Sequence, residues 1–400
     1  MTSRIYYTDP YCRRFDAVVT DAFDLDRRPA VVLDRTAFYP SSGGQPFDSG
    51  RLGGTVVVDV RDDDRGVVHV LSTPLALGAV VGGEIDWTRR FDHMQQHTGQ
   101  HLLSAAFDRL FDNQTVGFHM GAETSTIDLV REASQDEIAR AEDEANRVVW
   151  ENREVSIRFV DPSKRDPQGP ALPLRKESAR EGVLRLIDVA GFDLSACGGT
   201  HVARTGAIGM VAIAAAEKVR GGTRVTFACG ERALRLFRTL RESVTGSTRA
   251  LSVLPAQVPA AIERMQAEAR DLRRIIKRFQ HATAAHEAAR LTRESPEVSG
   301  VRIVTAALDG WDAGGLKTIA ATITTTSSAA VALFSSNAPY DVVIARSPDV
   351  RVRADEVLRA LLERFGGRGG GKPDLAQGGG LAGDPAALVD TARRLISDPS

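Results

Sequence analysis

The chain has 400 residues, 51 Lys plus Arg against 52 Asp plus Glu, and a formal net charge of −1. A hydrophobic share of 42% with mixed charge excludes a disordered chain. No apolar run reaches the roughly eighteen residues of a spanning helix, so no membrane partner is expected.

Taken in order, residues 1–90 read as short β-branched strands bounded by Gly, Pro and Asp, among them Ala30–Leu33, Thr55–Val60 and Gly66–Val70. That spacing predicts a small β-barrel, residues 1–90, with the Ser-Gly loop Phe38–Gly50 inside it. The pattern then turns helical near Asp92, which is placed as a cap with Gln95 three residues on. Leu102, Leu103, Ala106, Leu110 and Phe111 give this helix a buried stripe, and His93 is taken as a residue of its first turn. A hairpin over Thr115–Val130 carries His119, and a helix runs from Ser134 to about Asn152. Strands at Val155–Val160, Val183–Val189, Ile208–Ala216 and Thr223–Cys229 flank a Pro-rich surface stretch at 161–182. A helix at Glu231–Arg241 closes a region, 91–248, that reads as an α+β layer.

From Pro259 one long helix follows, with Ile262, Met265, Ala269, Leu272, Ile276 and Phe279 in a coiled-coil seam; it forms a helical linker, 249–296. The last stretch, 297–400, is an α/β domain with buried-type strands and the glycine-rich run Gly366–Gly380. Gly366–Lys372 imitates a phosphate-binding loop, but Pro373 stands where a Ser or Thr would hold magnesium, and a helix precedes it instead of a strand. Arg368, Lys372 and the exposed amides there are candidates for a nucleic-acid phosphate; an ordinary glycine-rich turn is the plain alternative. The expected fold is therefore α+β and multidomain.

The chemistry concentrates in two short motifs. Gln96–Leu103 puts His97 and His101 at i and i+4 on one helix face. Ala196–Val202 puts Cys197 and His201 around a Gly-Gly turn. A lone pair of histidines at helical spacing is usually surface or satisfied core. Five of the chain's eight histidines, His93, His97, His101, His119 and His201, nevertheless lie in, between or just before these motifs, and three imidazoles with one thiolate make the tetrahedral set that zinc prefers. One zinc per chain is expected on His97, His101, Cys197 and His201. Cys12, Cys197 and Cys229 are too few for a disulfide framework, and Met1–Tyr7 has no apolar signal core, so a cytoplasmic setting is expected. Only six of the basic residues are lysine; arginine suits phosphate contacts, and an arginine-rich coding bias explains the count equally well.

With these residues in place, the chain resembles the freestanding alanyl-tRNA editing proteins, the AlaX family, and the editing half of alanyl-tRNA synthetase. The matching residues are Phe38–Pro46 with Asp48 and Gly50, then His97, His101, Leu102 and Leu103, then Cys197–His201. Lys372-Pro373-Asp374 with Ala376–Gly380 looks like the glycine-rich, DHHA1-type C-terminal domain that the synthetase shares with DHH-type phosphoesterases, although no Asp-His-His tripeptide occurs here. The resemblance covers nearly the whole chain and implies the long form of the family. A complete synthetase is not expected, because the chain opens on the barrel.

The resemblance implies a deacylase that hydrolyses the ester joining serine, and perhaps glycine, to tRNA(Ala). His97, His101, Cys197 and His201 are then the expected catalytic and metal residues. Ser41 or Ser42 is expected to recognise the serine hydroxyl, with Gln45, His119, Gly199 and Thr200 as further substrate contacts. Arg368 and Lys372 are the expected tRNA contacts, and the helical linker or C-terminal domain is the expected seam of a homodimer. Two alternatives are editing of another mischarged tRNA, such as threonine tRNA carrying serine, and a non-catalytic zinc-containing RNA-binding protein. A zinc peptidase fits poorly, because Thr98 stands where its general-base Glu would be.

Overall fold

The computed structural model describes residues 2–161, 174–175 and 182–398; most of the Pro-rich stretch 161–182 lies outside them. The chain divides into two compact units, Met1–Ser247 and Thr248–Ser400.

In the first unit, strands Arg14–Leu25, Arg28–Leu33, Gly50–Leu52, Thr55–Asp63, Gly66–Leu71 and Val80–Ile85 pair in a closed cycle, forming a six-stranded barrel. Side chains alternate along each strand, so every second residue of Val80–Ile85 is buried. Val19, Val31, Leu33, Phe38, Leu52, Val60 and Leu71 fill the interior. His69 is buried there too, with Nε2 2.8 Å from Thr36 Oγ1.

Helix α1, Trp87–Phe111, leaves the barrel directly. Its cap is Asp86, not Asp92, with Asp86 Oδ1 accepting from the Arg89 N–H. Trp87–Arg90 carries no apolar period, so the first turn was not visible in the sequence. Asp92 instead pairs with Arg232 and accepts from Gln96. Nearly all of α1 from Arg90 to Phe107 is buried, a helix enclosed on all sides and not only on an apolar stripe. Its buried glutamines are satisfied: Gln96 donates to Cys229 O and accepts from Cys229 N–H at 3.0 and 2.8 Å, and Gln95 donates to Ala207 O at 2.9 Å, whereas His93 Nδ1 is buried with no partner among the described residues.

Around α1 stand a four-stranded sheet, ordered Val211–Val219, Gly222–Cys229, Ser125–Leu129, Thr115–Met120, and a three-stranded one, Val155–Val160, Leu184–Val189, Asp193–Ala196. Helix α2, Gln135–Trp150, has the capping box of Ser134 and Glu137 and buries Ile138, Ala141, Ala145, Val148 and Val149. Helix α3, Gly230–Leu251, runs ten residues beyond the predicted end at Arg241, because Gly246 does not interrupt it.

Burial has a pH consequence. Burial lowers His69 to about 4, and burial with neighbouring Arg89, Arg232 and Arg90 lowers His93 to about 3. Both stay neutral in the folded chain while the unfolded chain takes up their protons below 6.5, so stability is lost as pH falls from 6.5 toward those values. Each group costs about 1.4 kcal/mol per pH unit, or about 2 kcal/mol at pH 5. Thermal melts with chelator present should show a lower Tm at pH 5 than at pH 7, and His69→Gln should flatten that slope. An unchanged slope in the variant would remove His69 from the account.

In the second unit, α4, Val258–Glu294, buries Ala284, Ala288 and Leu291 against α5, Ala313–Thr326. Its predicted seam is exposed: Ile262, Met265, Leu272, Ile276 and Phe279 all face solvent. A six-stranded sheet follows, ordered Glu297–Val298, Val301–Leu308, Ala329–Ser335, Tyr340–Arg346, Leu375–Leu381, Arg368–Gly371. Alternate residues send Val331 and Leu333 toward α5, and Ala332 and Phe334 toward α6, Ala354–Phe365, and α7, Pro385–Ser397. The glycine run is not a phosphate-type loop: Arg368–Gly371 is an edge strand paired antiparallel with Leu375–Leu381. A Cβ on Gly369 or Gly371 would overlap that partner's backbone, which accounts for glycine at those two positions.

Candidate metal centre

Helix α1 and the turn after Asp193–Ala196 bring His97, His101, Cys197 and His201 together, their donor atoms all within 4.8 Å of one another. The three histidines are buried and Cys197 is half-buried. His97 Nε2 and His201 Nε2 each lie 3.4 Å from Cys197 Sγ. A tetrahedron with zinc–nitrogen bonds of about 2.0–2.1 Å and a zinc–sulfur bond of about 2.3 Å has edges of this length.

The second nitrogen of each imidazole fixes its tautomer. His101 Nδ1 lies 2.9 Å from Asp193 Oδ2, a carboxylate that can only accept. Thr98 Oγ1 donates to Met94 O, so at 3.2 Å it accepts from His201 Nδ1. His97 Nδ1 lies 2.8 Å from Gln45 Oε1, which also accepts the Thr200 N–H at 3.1 Å. All three rings thus carry the proton on Nδ1 and keep the Nε2 lone pair free, the arrangement in which a partner orients a metal-binding histidine.

Electrostatics agree. Burial lowers His97 to about 3 and His201 well below its ordinary value, keeping both neutral. Burial pushes the Cys197 thiol up, but His101, the Gly199 N–H and Arg185 outweigh it and lower it toward thiolate. Burial likewise pushes Asp193 up, and the His101 and Arg175 contacts hold it down at about 2. His101 is lowered by burial, yet Asp193 and Cys197 raise it overall. The donor set therefore fits zinc.

The other expected residues separate. Gln45 is buried and bridges His97 to Thr200, donating to Thr200 Oγ1 at 2.8 Å. Gly199 gives its N–H to Cys197 Sγ, and a Cβ there would overlap the His97 ring. Ser42 lines a cavity of about 210 Å³ together with Gly198. Ser41 Oγ instead accepts the Phe47 N–H at 3.0 Å. His119 is exposed on its strand, whereas the preceding Phe118 points to the opposite face and packs 5.3 Å from His97. The structure thus does not bring His119 to the cluster. Arg368 lines a separate cavity with Gly369, Gly370 and Gln377, and Lys372 sits at the hairpin turn, its N–H donating to Leu375 O.

Several supporting residues carry no sequence signature. Asp193, Thr98 and Arg185 reach the site from 92, 103 and 12 residues away from their partners. Only Asp193 left a trace, a lone acid on a short strand four residues before Cys197.

Residues 184–225 match the family described as the Threonyl and Alanyl tRNA synthetase second additional domain, and residues 300–398 match the DHHA1 domain. The Alanyl-tRNA editing protein AlaX-L of Pyrococcus horikoshii is 30% identical over 98% of this chain and 98% of its own length. Alanine–tRNA ligases of Methanosarcina mazei and Methanoregula boonei are 32% and 34% identical over 98% and 97% of this chain, which spans 44% and 42% of their lengths. In site geometry, family matches and end-to-end similarity alike, the chain belongs to the alanyl-tRNA editing proteins of the AlaX-L type.

Proposed function

We propose that the protein is an aminoacyl-tRNA deacylase of the cytoplasm that hydrolyses the ester of serine, and of glycine, on mischarged tRNA(Ala). The observation that carries this reading is the cluster of three tautomer-fixed imidazoles and one thiolate beside a cavity lined by Ser42 and Gly198. His97, His101, Cys197 and His201 would hold the zinc, which when bound supplies a Lewis acid for the ester group. The protein's own groups orient the reacting end. Gln45 and Thr200 hold His97 and the Cys197–His201 turn in one geometry, and positioning an activated ester contributes much of the rate.

Serine is distinguished from alanine by one hydroxyl, and a pocket built to pair with it rejects the analogue lacking it. Ser42 is the group for this, since the Ser41 hydroxyl is engaged within its own loop. Arg368, in the second unit, and Lys372 near it are offered to tRNA phosphates, and the exposed apolar face of α4 to a second copy of the chain.

A deacylation panel against seryl-, glycyl-, alanyl- and threonyl-tRNA, with and without chelator, tests the reading. Seryl-tRNA(Ala) should be cleaved with alanyl-tRNA(Ala) spared, and chelator should slow the reaction. Ser42→Ala should lower the serine-over-alanine ratio roughly tenfold, the worth of one hydrogen bond, with Ser41→Ala near wild type. Failure to cleave any of the four esters would exclude a deacylase and leave the RNA-binding alternative.

A further inference from the structure

The middle of α4 places its charges unlike the rest of the chain. Between Arg270 and Arg278 stand Arg270, Arg273, Arg274, Lys277 and Arg278 with a single acid, Asp271. That is a local excess of four positive charges in a chain whose net charge is −1. All five bases are exposed. At about 100° per residue they fall within roughly 140° of arc, a row about 12 Å long on one side of the helix. The exposed apolar line of Ile262, Met265, Leu272, Ile276 and Phe279 runs along the other side.

Pairing within the helix does not account for the row. Asp271 reaches Arg274 at 3.0 Å, and Arg270, Arg273, Lys277 and Arg278 have no ion pair among the described residues. Further along the same helix the ordinary arrangement returns, with Arg290 between Glu287 and Glu294. Within the row, Arg270 with Arg274, Arg273 with Lys277 and Arg274 with Arg278 set like charges at i and i+4, which destabilises a helix. An arginine-rich coding bias scatters bases among acids; it does not collect them on one side. A face that repels itself is complemented by a polyanion. Four of its five bases are arginine, whose planar fork meets a phosphate through two parallel N–H groups. An anionic membrane is the other surface that a basic amphipathic helix can meet, but α4 has no Trp or Tyr to seat it at an interface.

We propose that Arg270, Arg273, Arg274, Lys277 and Arg278 form a contact surface for the phosphodiester backbone of the substrate RNA, recognised by charge and not by base sequence. This rests on the deacylase reading in taking that RNA as the partner. The row touches no reacting atom. It holds substrate to the protein, so its loss shows in KM and in salt dependence and leaves kcat alone.

The test uses the full chain, uncharged tRNA(Ala) as probe, and a row variant combining Arg270→Gln, Arg273→Gln, Lys277→Gln and Arg278→Gln, since glutamine keeps the helix-forming tendency. A control combines Arg147→Gln, Arg224→Gln, Arg290→Gln and Arg353→Gln, four exposed bases already paired with acids, and matches the change in net charge. The plot of log affinity against log salt should be shallower by about 3 in the row variant, close to 0.7–0.9 for each lost phosphate contact. At physiological salt its Kd and its KM for seryl-tRNA(Ala) should rise at least about tenfold, with kcat within about twofold. Arg273→Gln with Lys277→Gln alone should give about half the change in slope, and the control should behave as wild type. An unmoved slope in the row variant overturns the proposal. So does an equal change in the control, because net charge alone would then be responsible. Loss of binding to phosphatidylserine-containing vesicles with the RNA slope unmoved would give the row to a membrane and also overturn it. RNA binding through the row by a chain that cleaves no ester would sustain this surface and sink the deacylase reading instead.

Discussion

Alanine at both His97 and His101 should strip the protein of metal and lower kcat/KM for seryl-tRNA(Ala) by more than about 100-fold. Loss of an outer partner of a metal-bound histidine already costs roughly 10–100-fold in affinity or activity, and this double variant removes two donors outright. Both side chains lie on the buried face of α1, so the deletion also empties space in the core of the first unit. Elemental analysis and a melting curve should accompany the kinetics: about one zinc per wild-type chain, none in the variant, and a cooperative transition in both. Asp193→Asn supplies the graded comparison. It keeps a hydrogen bond to His101 Nδ1 but removes the charge that orients it, and its loss should fall between wild type and the double variant. Full metal content and activity in the double variant would disprove the assignment.

Arg90→Met should cost more stability than any other single change in the barrel-to-α1 connection. Arg90 and Asp48 are both fully buried and paired. The guanidinium also donates to Pro10 O and Ala37 O, while Asp48 Oδ2 takes the Tyr39 N–H at 2.6 Å. Deleting one member leaves Asp48 charged, buried and uncompensated, a change worth about 3–5 kcal/mol. At about 2–4 °C per kcal/mol for a unit of this size, Tm should fall on the order of 10 °C. The loop from Phe38 to Asp48 would loosen with it, so deacylation should fall beyond what unfolding explains, through Gln45. Adding Asp48→Leu should recover part of the lost stability, since replacing both partners removes the stranded charge. A Tm within a degree or two of wild type would show that the pair stabilises nothing.

The four residues of the candidate metal cluster were legible in the sequence because Cys and His are scarce and their spacings are local: i and i+4 on a helix, and four residues across a turn. Their supporting partners were not. Asp, Thr and Gln are common, and Gln45, Thr98 and Asp193 meet their imidazoles across 52, 103 and 92 residues. The start of α1 was misplaced for a related reason: Asp86 caps a first turn with no apolar period, whereas Asp92 stands where the period begins. The glycine run shows the opposite failure. Gly366–Lys372 has a loop-like composition, but Gly367, Gly369 and Gly371 stand where a neighbouring strand's backbone leaves no room for a Cβ. Cys229 and Gly99 were equally silent. Gly99 is a helix-interior glycine whose place is explained only by the Cys229 sulfur lying against it.

Gln45 has a consequence for how such a protein can be recombined. One amide side chain from the barrel loop holds His97 with its oxygen and Thr200 with its nitrogen. The barrel is therefore part of the candidate metal cluster's own wiring, although it supplies none of the four side chains. A chimera that took its barrel from one relative and its histidine helix from another would inherit all four donors. It would keep His97 in register only if the two parents also agreed on the length and seating of that loop. Barrel and cluster are thus exchangeable between relatives as one piece and not as two.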